Sequence, residues 1–358
     1  MTTEGSNIES LKSLIITDFL PNLCDGVLID VRTPSEFEKG HIPGAKNLPL
    51  FSDEERAVIG TIYKQIGSKP AILKGLEITG PKMKEFVKQA ESISDRSNKL
   101  FLYCWRGGMR SASMAWLLDM YGFEVYTLKR GYKAFRNYVL SSFDTKKNIL
   151  ILGGKTGSGK TEILKELSAS GQQIIDLEGL AHHKGSAFGT IGETENCSQE
   201  HFENKLALEW ININPEKTVW LEDESRSIGK KIIPEGIWDQ MREAKVINLE
   251  IPWQNRLEYV VKTYGNSAKE ELLTATDKVK KRLGGLAYKN ARDYISEGML
   301  EQAAEILLAY YDKGYQYGLQ SRDPETISTY KTEEKDFPKI AAELKKFAAK
   351  IESKIKTE

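Results

Sequence analysis

The segment Asn148-Ile-Leu-Ile-Leu152-Gly-Gly154-Lys-Thr-Gly157-Ser158-Gly159-Lys160-Thr161 leaves this 358-residue chain less freedom of fold than any other. Its apolar run reads as a buried strand, Gly154 to Thr161 matches G-x-x-x-x-G-K-T, and Glu162-Ile-Leu-Lys-Glu-Leu167 continues at helical spacing. A fully apolar strand that passes straight into a helix is a unit of parallel sheet with helices on its faces, not of a hairpin or a bundle. In such a loop the glycines turn successive N–H groups onto a diphosphate, the lysine reaches its outer oxygens, and the threonine hydroxyl is placed for Mg²⁺. Gly154, Gly157, Ser158, Gly159, Lys160 and Thr161 are therefore the expected diphosphate site, and a nucleoside on that diphosphate is optional. Further strands follow at Gln173-Ile-Ile-Asp176-Leu-Glu178 and Thr218-Val-Trp-Leu221-Glu222-Asp223-Glu224-Ser225-Arg226. Acids at such strand ends fall at the carboxyl edge of the sheet, beside the phosphate loop. With Thr161, Asp223 is the expected metal ligand among Glu222, Asp223 and Glu224, and Arg226 a phosphate clamp; an ordinary strand exit into solvent accounts for the same acids. The glycine-rich 181–189 stretch reads as a substrate loop, a lid or plain surface.

A second chemical focus lies upstream. Leu100-Phe-Leu-Tyr103 reads as a buried strand delivering Cys104 into Trp-Arg106-Gly107-Gly108-Met-Arg110, and Ser111 to Leu118 repeats at helical spacing. A cysteine in a strand-to-helix loop faces backbone N–H groups and the positive end of the helix, which favour the thiolate. Arg106 and Arg110 would complete an anion cradle with bidentate hydrogen bonds. Two arginines and two glycines within six residues fit an apolar core poorly, so Cys104 is read as reactive rather than structural. Downstream, Lys129-Arg130-Gly-Tyr132-Lys133-Ala-Phe-Arg136 interleaves cations with aromatics. It reads either as a surface that meets phosphates and stacks a base, or as a solvated helix face.

The length suits two domains with proper cores. Fifty-one basic and 51 acidic side chains cancel, so any nucleic-acid surface must be local. Three scattered cysteines form neither a disulfide framework nor a CxxC metal site. Met1 to Leu20 lacks a signal-peptide pattern, and no stretch reaches the ~18 apolar residues of a membrane span, so a soluble cytoplasmic chain is expected. Residues 8–19 read as a short helix or strand. Thr33 with Glu36 forms a capping box around Pro34, Ser52 caps the helix that follows it, and His41 reads as a structural hydrogen-bonding residue. The lysines at 339, 345, 346, 350, 354 and 356 read as the solvated face of a final amphipathic helix, with RNA contact as the sharper alternative.

Asp30-Val-Arg32, Glu36-Phe37, Gly40-His41-Ile-Pro-Gly44-Ala45 and the Cys104 loop resemble a rhodanese domain, an α/β fold whose loop cysteine carries sulfur. The C-x5-R spacing from Cys104 to Arg110 is longer than the usual sulfurtransferase loop and similar to that of rhodanese-like phosphatases, which suits a phosphate-sized or selenophosphate-sized anion. Joined to the phosphate-loop half, and with Phe51-Ser-Asp-Glu-Glu-Arg56, Tyr63-Lys-Gln65, Gly185-Ser186, Phe188-Gly189 and Glu224-Ser-Arg226, the chain resembles the tRNA 2-selenouridine synthase family. The fold class this implies is α/β: an N-terminal rhodanese-like domain (1–140), a linker (141–147), a P-loop NTPase-like parallel-sheet domain (148–250) and a helical, basic C-terminal extension (251–358). The resemblance also implies a bacterial enzyme that converts wobble 2-thiouridine of tRNA to 2-selenouridine. The route would run through an S-geranyl intermediate, with geranyl diphosphate and selenophosphate as co-substrates. Cys104 would then act as nucleophile or as selenium carrier. The alternative is a rhodanese- or phosphatase-like domain fused to an ATP-dependent small-molecule kinase, and a non-catalytic RNA-binding adaptor is a third reading.

Overall fold

The computed structural model describes residues 12–95, 97–192 and 197–355, with side chains to residue 351. Residues 8–11, Lys356 and the side chain of Lys354, to which the sequence assigned roles, lie outside the described residues. The chain divides into two compact units, Met1–Ser141 and Ser142–Glu358.

In the first unit the strands are β1 (Lys12–Leu14), β2 (Val27–Asp30), β3 (Lys46–Asn47), β4 (Lys99–Tyr103) and β5 (Glu124–Leu128). They form one parallel sheet in the order β1-β5-β4-β2-β3. The helices are α1 (Ile16–Asn22), α2 (Pro34–Lys39), α3 (Asp53–Gln65), α4 (Ser68–Thr79), α5 (Met83–Ser94), α6 (Met109–Tyr121) and α7 (Gly131–Ser142). Both expected caps are present: Thr33 and Glu36 close a reciprocal capping box with Pro34 at the first helical position, and Ser52 does the same with Glu55. An apolar core joins Ile29 and Val31 to Leu100, Leu102, Met114 and Leu118 on one face of the sheet, and Leu28, Phe101 and Tyr103, which alternate with them, are buried on the other, so the central strands are covered on both faces. The chain leaves β2 towards β3 on one side and finds β4 on the other, with Asp30 paired to Tyr103. That reversal opens a crevice at the carboxyl ends of β2 and β4, where Cys104 begins the next loop.

The second unit repeats the principle with β6 (Ile149–Gly154), β7 (Gln173–Ile175), β8 (Val219–Glu222), a two-stranded antiparallel hairpin of β9 (Ser227–Ile228) and β10 (Lys231–Ile232), β11 (Lys245–Glu250) and β12 (Ile327–Lys331). Its main sheet is parallel throughout, in the order β12-β11-β6-β8-β7. The helices are α8 (Lys160–Ala169), α9 (Leu177–Ala181), α10 (Gln199–Asn212), α11 (Glu235–Glu243), α12 (Trp253–Tyr264), α13 (Lys269–Leu283), α14 (Gly285–Glu297), α15 (Leu300–Gln320) and α16 (Phe337–Ile355). The stretch expected to be wholly helical from 251 on holds one more strand, because β12 lies along β11 from Ile327 to Lys331. α16 then packs Ile340, Ala341, Leu344 and Ala348 into the same core as Leu164 and Leu167 of α8. α12 to α15 are thus inserted between two strands of one sheet. With Phe188 and Ile191 from the segment after α9, they build a satellite core around Leu272, Ile295, Ala303 and Leu307. Among the described residues no helix is long and apolar enough to cross a membrane.

Candidate functional site

Each unit carries one site at the carboxyl ends of its strands. In the first, Cys104 follows β4 directly, is 2% exposed, and has its Sγ 3.2 Å from the Ser111 hydroxyl on α6. Ser111 also donates to the Gly108 carbonyl at 3.2 Å. Its hydroxyl accepts from a thiol while donating to Gly108, or turns to donate to a thiolate, so one residue serves both states of the sulfur. The loop is held from behind by the start of α7: the Tyr132 N–H donates to the Cys104 carbonyl at 2.8 Å and the Lys133 N–H to the Trp105 carbonyl at 3.0 Å. Gly107 (φ +62°) and Gly131 (φ +58°) meet there in left-handed conformations. A Cβ on Gly107 would stand 2.6 Å from the Leu128 carbonyl oxygen, and one on Gly131 would collide with that of Cys104.

Of the two expected cradle arginines, Arg106 is exposed on the loop. Arg110 reaches across to α2, where its guanidinium donates to Glu36 at 2.6 and 3.3 Å. Arg110 therefore enters the site already carrying a carboxylate partner. Burial pushes the Glu36 carboxyl up, but the hydrogen bond and charge of Arg110, with the Thr33 amide, hold it below its ordinary 4.5. Beneath the loop, Asp30 and Arg32 form a buried ion pair at 2.6 Å, and Arg32 also donates to the Gly40 carbonyl at 2.7 Å. His41 has the structural role expected of it, stacked on Phe37 at 3.8 Å with Nδ1 3.0 Å from the Phe37 carbonyl oxygen.

One expectation for this unit fails. Tyr132 is fully buried, with the Arg32 guanidinium 3.8 Å from its ring centre and Tyr103, Trp105 and Phe135 around it, so it cannot stack a base. Lys129, Arg130 and Lys133 are exposed, while Arg136 is half-buried and engaged. Tyr132 and Phe135 lie on the inner face of α7, while Lys133 and the two cations just before the helix, Lys129 and Arg130, face outward. The spacing of Tyr132, Phe135 and Val139 is the signal for that division.

In the second unit the glycine loop joins β6 to α8 with Gly154, Gly157 and Gly159 all at positive φ (154°, 82° and 72°). Lys160 folds back on the loop, donating to the Gly154 carbonyl at 3.2 Å. Burial pushes its ammonium down, but Glu222, Glu224, Glu178 and Asp223 raise it above its ordinary 10.5. Glu178, Glu222 and Glu224 bring carboxylate oxygens within 4.8 Å of one another, and Thr161 Oγ lies 3.5 Å from Glu178. Burial raises all three, helped by neighbouring carboxylates: Glu178 to about 8 beside Glu222, Glu224 well above its ordinary range beside Glu178 and Glu222, and Glu222 above its range with Asp176 as the repelling charge. Gly185 seals the cluster, since a Cβ there would run into Glu178 and Glu224.

Asp223 is the second correction. It does not join the three glutamates; its carboxylate takes a hydrogen bond from Arg322 at 2.7 Å, a side chain 1% exposed. The chain turns just past β8, where the Glu224 N–H donates to the Glu222 carbonyl at 3.0 Å; Glu222 and Glu224 meet Glu178, while Asp223 meets Arg322. The sequence reading missed Glu178 as a partner. The signal was its place just after β7, the strand beside β8. Glu222 Oε1 is buried without a hydrogen-bond partner, and the donor set is wholly oxygen, so Glu178, Glu222, Glu224 and the Thr161 hydroxyl fit a hard divalent cation.

With this geometry in view, the likenesses to known proteins take on meaning. Residues 147–346 match the family model described as the tRNA 2-selenouridine synthase AAA domain, and residues 16–138 match the rhodanese-like domain. A tRNA 2-selenouridine synthase of Shewanella woodyi is 35% identical over 343 residues, covering 84% of this chain and 90% of that protein. Those of Sulfurovum sp. and Salmonella typhi are 36% and 35% identical, covering 82% and 84% of this chain and 88% and 91% of their own. The cysteine loop lies within residues 16–138 and the glycine loop with its three glutamates within residues 147–346, so the likeness takes in both sites as well as the two folds. This chain belongs to the tRNA 2-selenouridine synthase family, a family of transferases.

Proposed function

We propose that this chain converts wobble 2-thiouridine of tRNA to 2-selenouridine in two steps, alkylating the sulfur with geranyl diphosphate and then replacing the alkylthio group with selenium from selenophosphate. The observation that supports the reading is that each unit has its own loop of distinct chemistry: a thiol loop with Cys104 beside the Ser111 hydroxyl, and a glycine loop with Lys160, which we read as the diphosphate site. Two consecutive substitutions with different leaving groups need such a pair. Direct replacement would have to expel sulfide, a poor leaving group; alkylation makes C2 more electrophilic and turns the departing group into a thiol.

In the first step the thiocarbonyl sulfur bonds to C1 of the geranyl group, the C1–O bond breaks, diphosphate leaves with the electron pair, and the N3 proton is released. Loop amides from Gly154 to Thr161, with Ser158 and the Lys160 ammonium, hold the diphosphate as its charge grows. A divalent cation bound by Thr161, Glu178, Glu222 and Glu224 would add charge neutralisation on the same oxygens. In the second step selenium adds at C2, geranylthiol leaves with a proton, and water takes the phosphoryl group as phosphate. Arg106 and Arg110 hold the selenophosphate anion and Cys104 serves as nucleophile or selenium carrier. Exposed Lys129, Arg130 and Lys133 meet the RNA backbone.

Mass spectrometry of nucleosides from thiolated tRNA tests this. Geranyl diphosphate alone should yield the S-geranyl nucleoside, and selenophosphate with it 2-selenouridine. Cys104→Ala should stop selenium entry and spare geranylation, while Lys160→Ala should impair geranylation. Unchanged RNA mass with both donors defeats the reading, and tRNA-independent ATP turnover would favour a small-molecule kinase instead.

A further inference from the structure

An apolar cavity opens beside the phosphate loop. Thr156 of the loop and Ser186, next to the glycine that seals the glutamates, stand at one end. Its walls are aliphatic side chains of α12 and α15, among them Val260, Ala304 and Leu308, together with the rings of Phe188, Tyr264 and Tyr311. Farther in lie Leu272, Ile295 and Leu300, and these three also line a second cavity, rimmed by Ser267, Lys269, Ser296 and Glu297. Residues that face two cavities are the wall between them.

The lining decides what enters. A nucleoside would press most of its ribose hydroxyls and base edges against a mostly apolar lining, with only the hydroxyls of Thr156, Ser186, Tyr264 and Tyr311 to meet them. An aliphatic chain loses nothing there, and close-packed interiors keep few apolar voids without a use. The hydroxyl of Tyr311 at the rim is occupied, accepting from the Ala187 N–H at 3.2 Å, so it is not free to bind a sugar as acceptor on that side.

We infer that this cavity holds the hydrocarbon tail of the allylic diphosphate gripped by the Gly154–Thr161 loop, and that Leu272, Ile295 and Leu300 set the tail length by closing its far end. The inference rests on the alkylation reading above and deepens it by assigning the residues that choose the donor. On this assignment the wall sets the longest tail the cavity takes. Removing part of the wall joins the two cavities and admits a longer tail, whereas filling the middle of the cavity favours a shorter one.

The test is S-alkylation of thiolated tRNA by the full-length protein with dimethylallyl, geranyl and farnesyl diphosphates, which carry tails of five, ten and fifteen carbons. Ratios of kcat/KM between donors are compared within each variant, so a smaller folded fraction cancels. Leu300→Ala should raise the farnesyl-to-geranyl ratio by about tenfold or more, and Ala304→Leu should raise the dimethylallyl-to-geranyl ratio similarly. Ile295→Val is the milder wall variant, expected to move the farnesyl ratio in the same direction should Leu300→Ala fail to fold. Wild-type protein that geranylates while every variant keeps the wild-type ratios overturns the assignment of the cavity and leaves the alkylation reading standing. Wild-type protein that uses none of the three donors overturns the alkylation reading, and the assignment with it.

Discussion

At the scale of single residues, the bond between Arg110 and Glu36 sets what the cysteine loop can do, and it makes a prediction in pH. Because the folded state holds the Glu36 carboxyl below its ordinary 4.5, the unfolded state binds more protons as the solution is acidified. The pair's contribution to stability is present above that ordinary value and is lost as pH falls through the folded one. Glu36→Gln keeps the capping-box acceptor and removes the charge facing Arg110. It should cost about 1 kcal/mol at pH 7, since the pair is only partly buried, and less at pH 3, below the ordinary carboxyl range. Denaturant titrations of both proteins at the two pH values measure this; a deficit that is the same at both would show that the charge on Glu36 is not what matters. Ser111→Ala is the companion change. It removes the hydroxyl 3.2 Å from Cys104 Sγ and should slow alkylation of that thiol by iodoacetamide, because the thiolate loses a donor.

At the scale of elements, the loop after β4 and the turn before α7 are one construction, which single-sequence reading divides. Gly131→Ala demands a left-handed alanine and drives its methyl group into the Cys104 carbonyl. It should destabilise the first unit by about 1–3 kcal/mol and abolish selenium entry while leaving S-geranylation near the wild-type rate, as read by nucleoside mass spectrometry. Loss of both activities would mean that the two sites are not separable as proposed. The elements themselves were legible because their signals are local: an apolar strand ahead of Gly154, a capping box at Thr33, and a helical repeat after Cys104. The failures are non-local or depend on facing. Nothing near Arg110 announces Glu36, 74 residues away. Tyr132 was assigned by its aromatic character when its three-residue step to Phe135 placed it inward. Asp223 was chosen among three acids when nothing near it announces Arg322, 99 residues away. β12 escaped because Ile-Ser-Thr-Tyr-Lys lacks the apolar run of a central strand, as befits the edge of a sheet.

For the molecule as a whole, the sheet of the second unit is completed only near the end of its sequence. α8, which carries Lys160 and Thr161, is packed by α16, more than 170 residues later, and the ring of Phe337 at the start of α16 fills the space over Gly159. The phosphate loop is therefore supported by the last helix, and damage to that helix should reach the loop without touching the thiol site. Leu344 is fully buried in this core, so Leu344→Ala should cost about 2–5 kcal/mol, the range for emptying a leucine site. In a chain of two compact units the loss should fall on one of them. Calorimetry should show a transition lowered by several degrees for the second unit and one near its wild-type position for the first. Geranylation should fail at the temperature of the lowered transition, while the alkylation rate of Cys104 by iodoacetamide stays at the wild-type value. A single transition that moves as a whole, with the thiol becoming reactive alongside it, would show instead that the two units unfold as one.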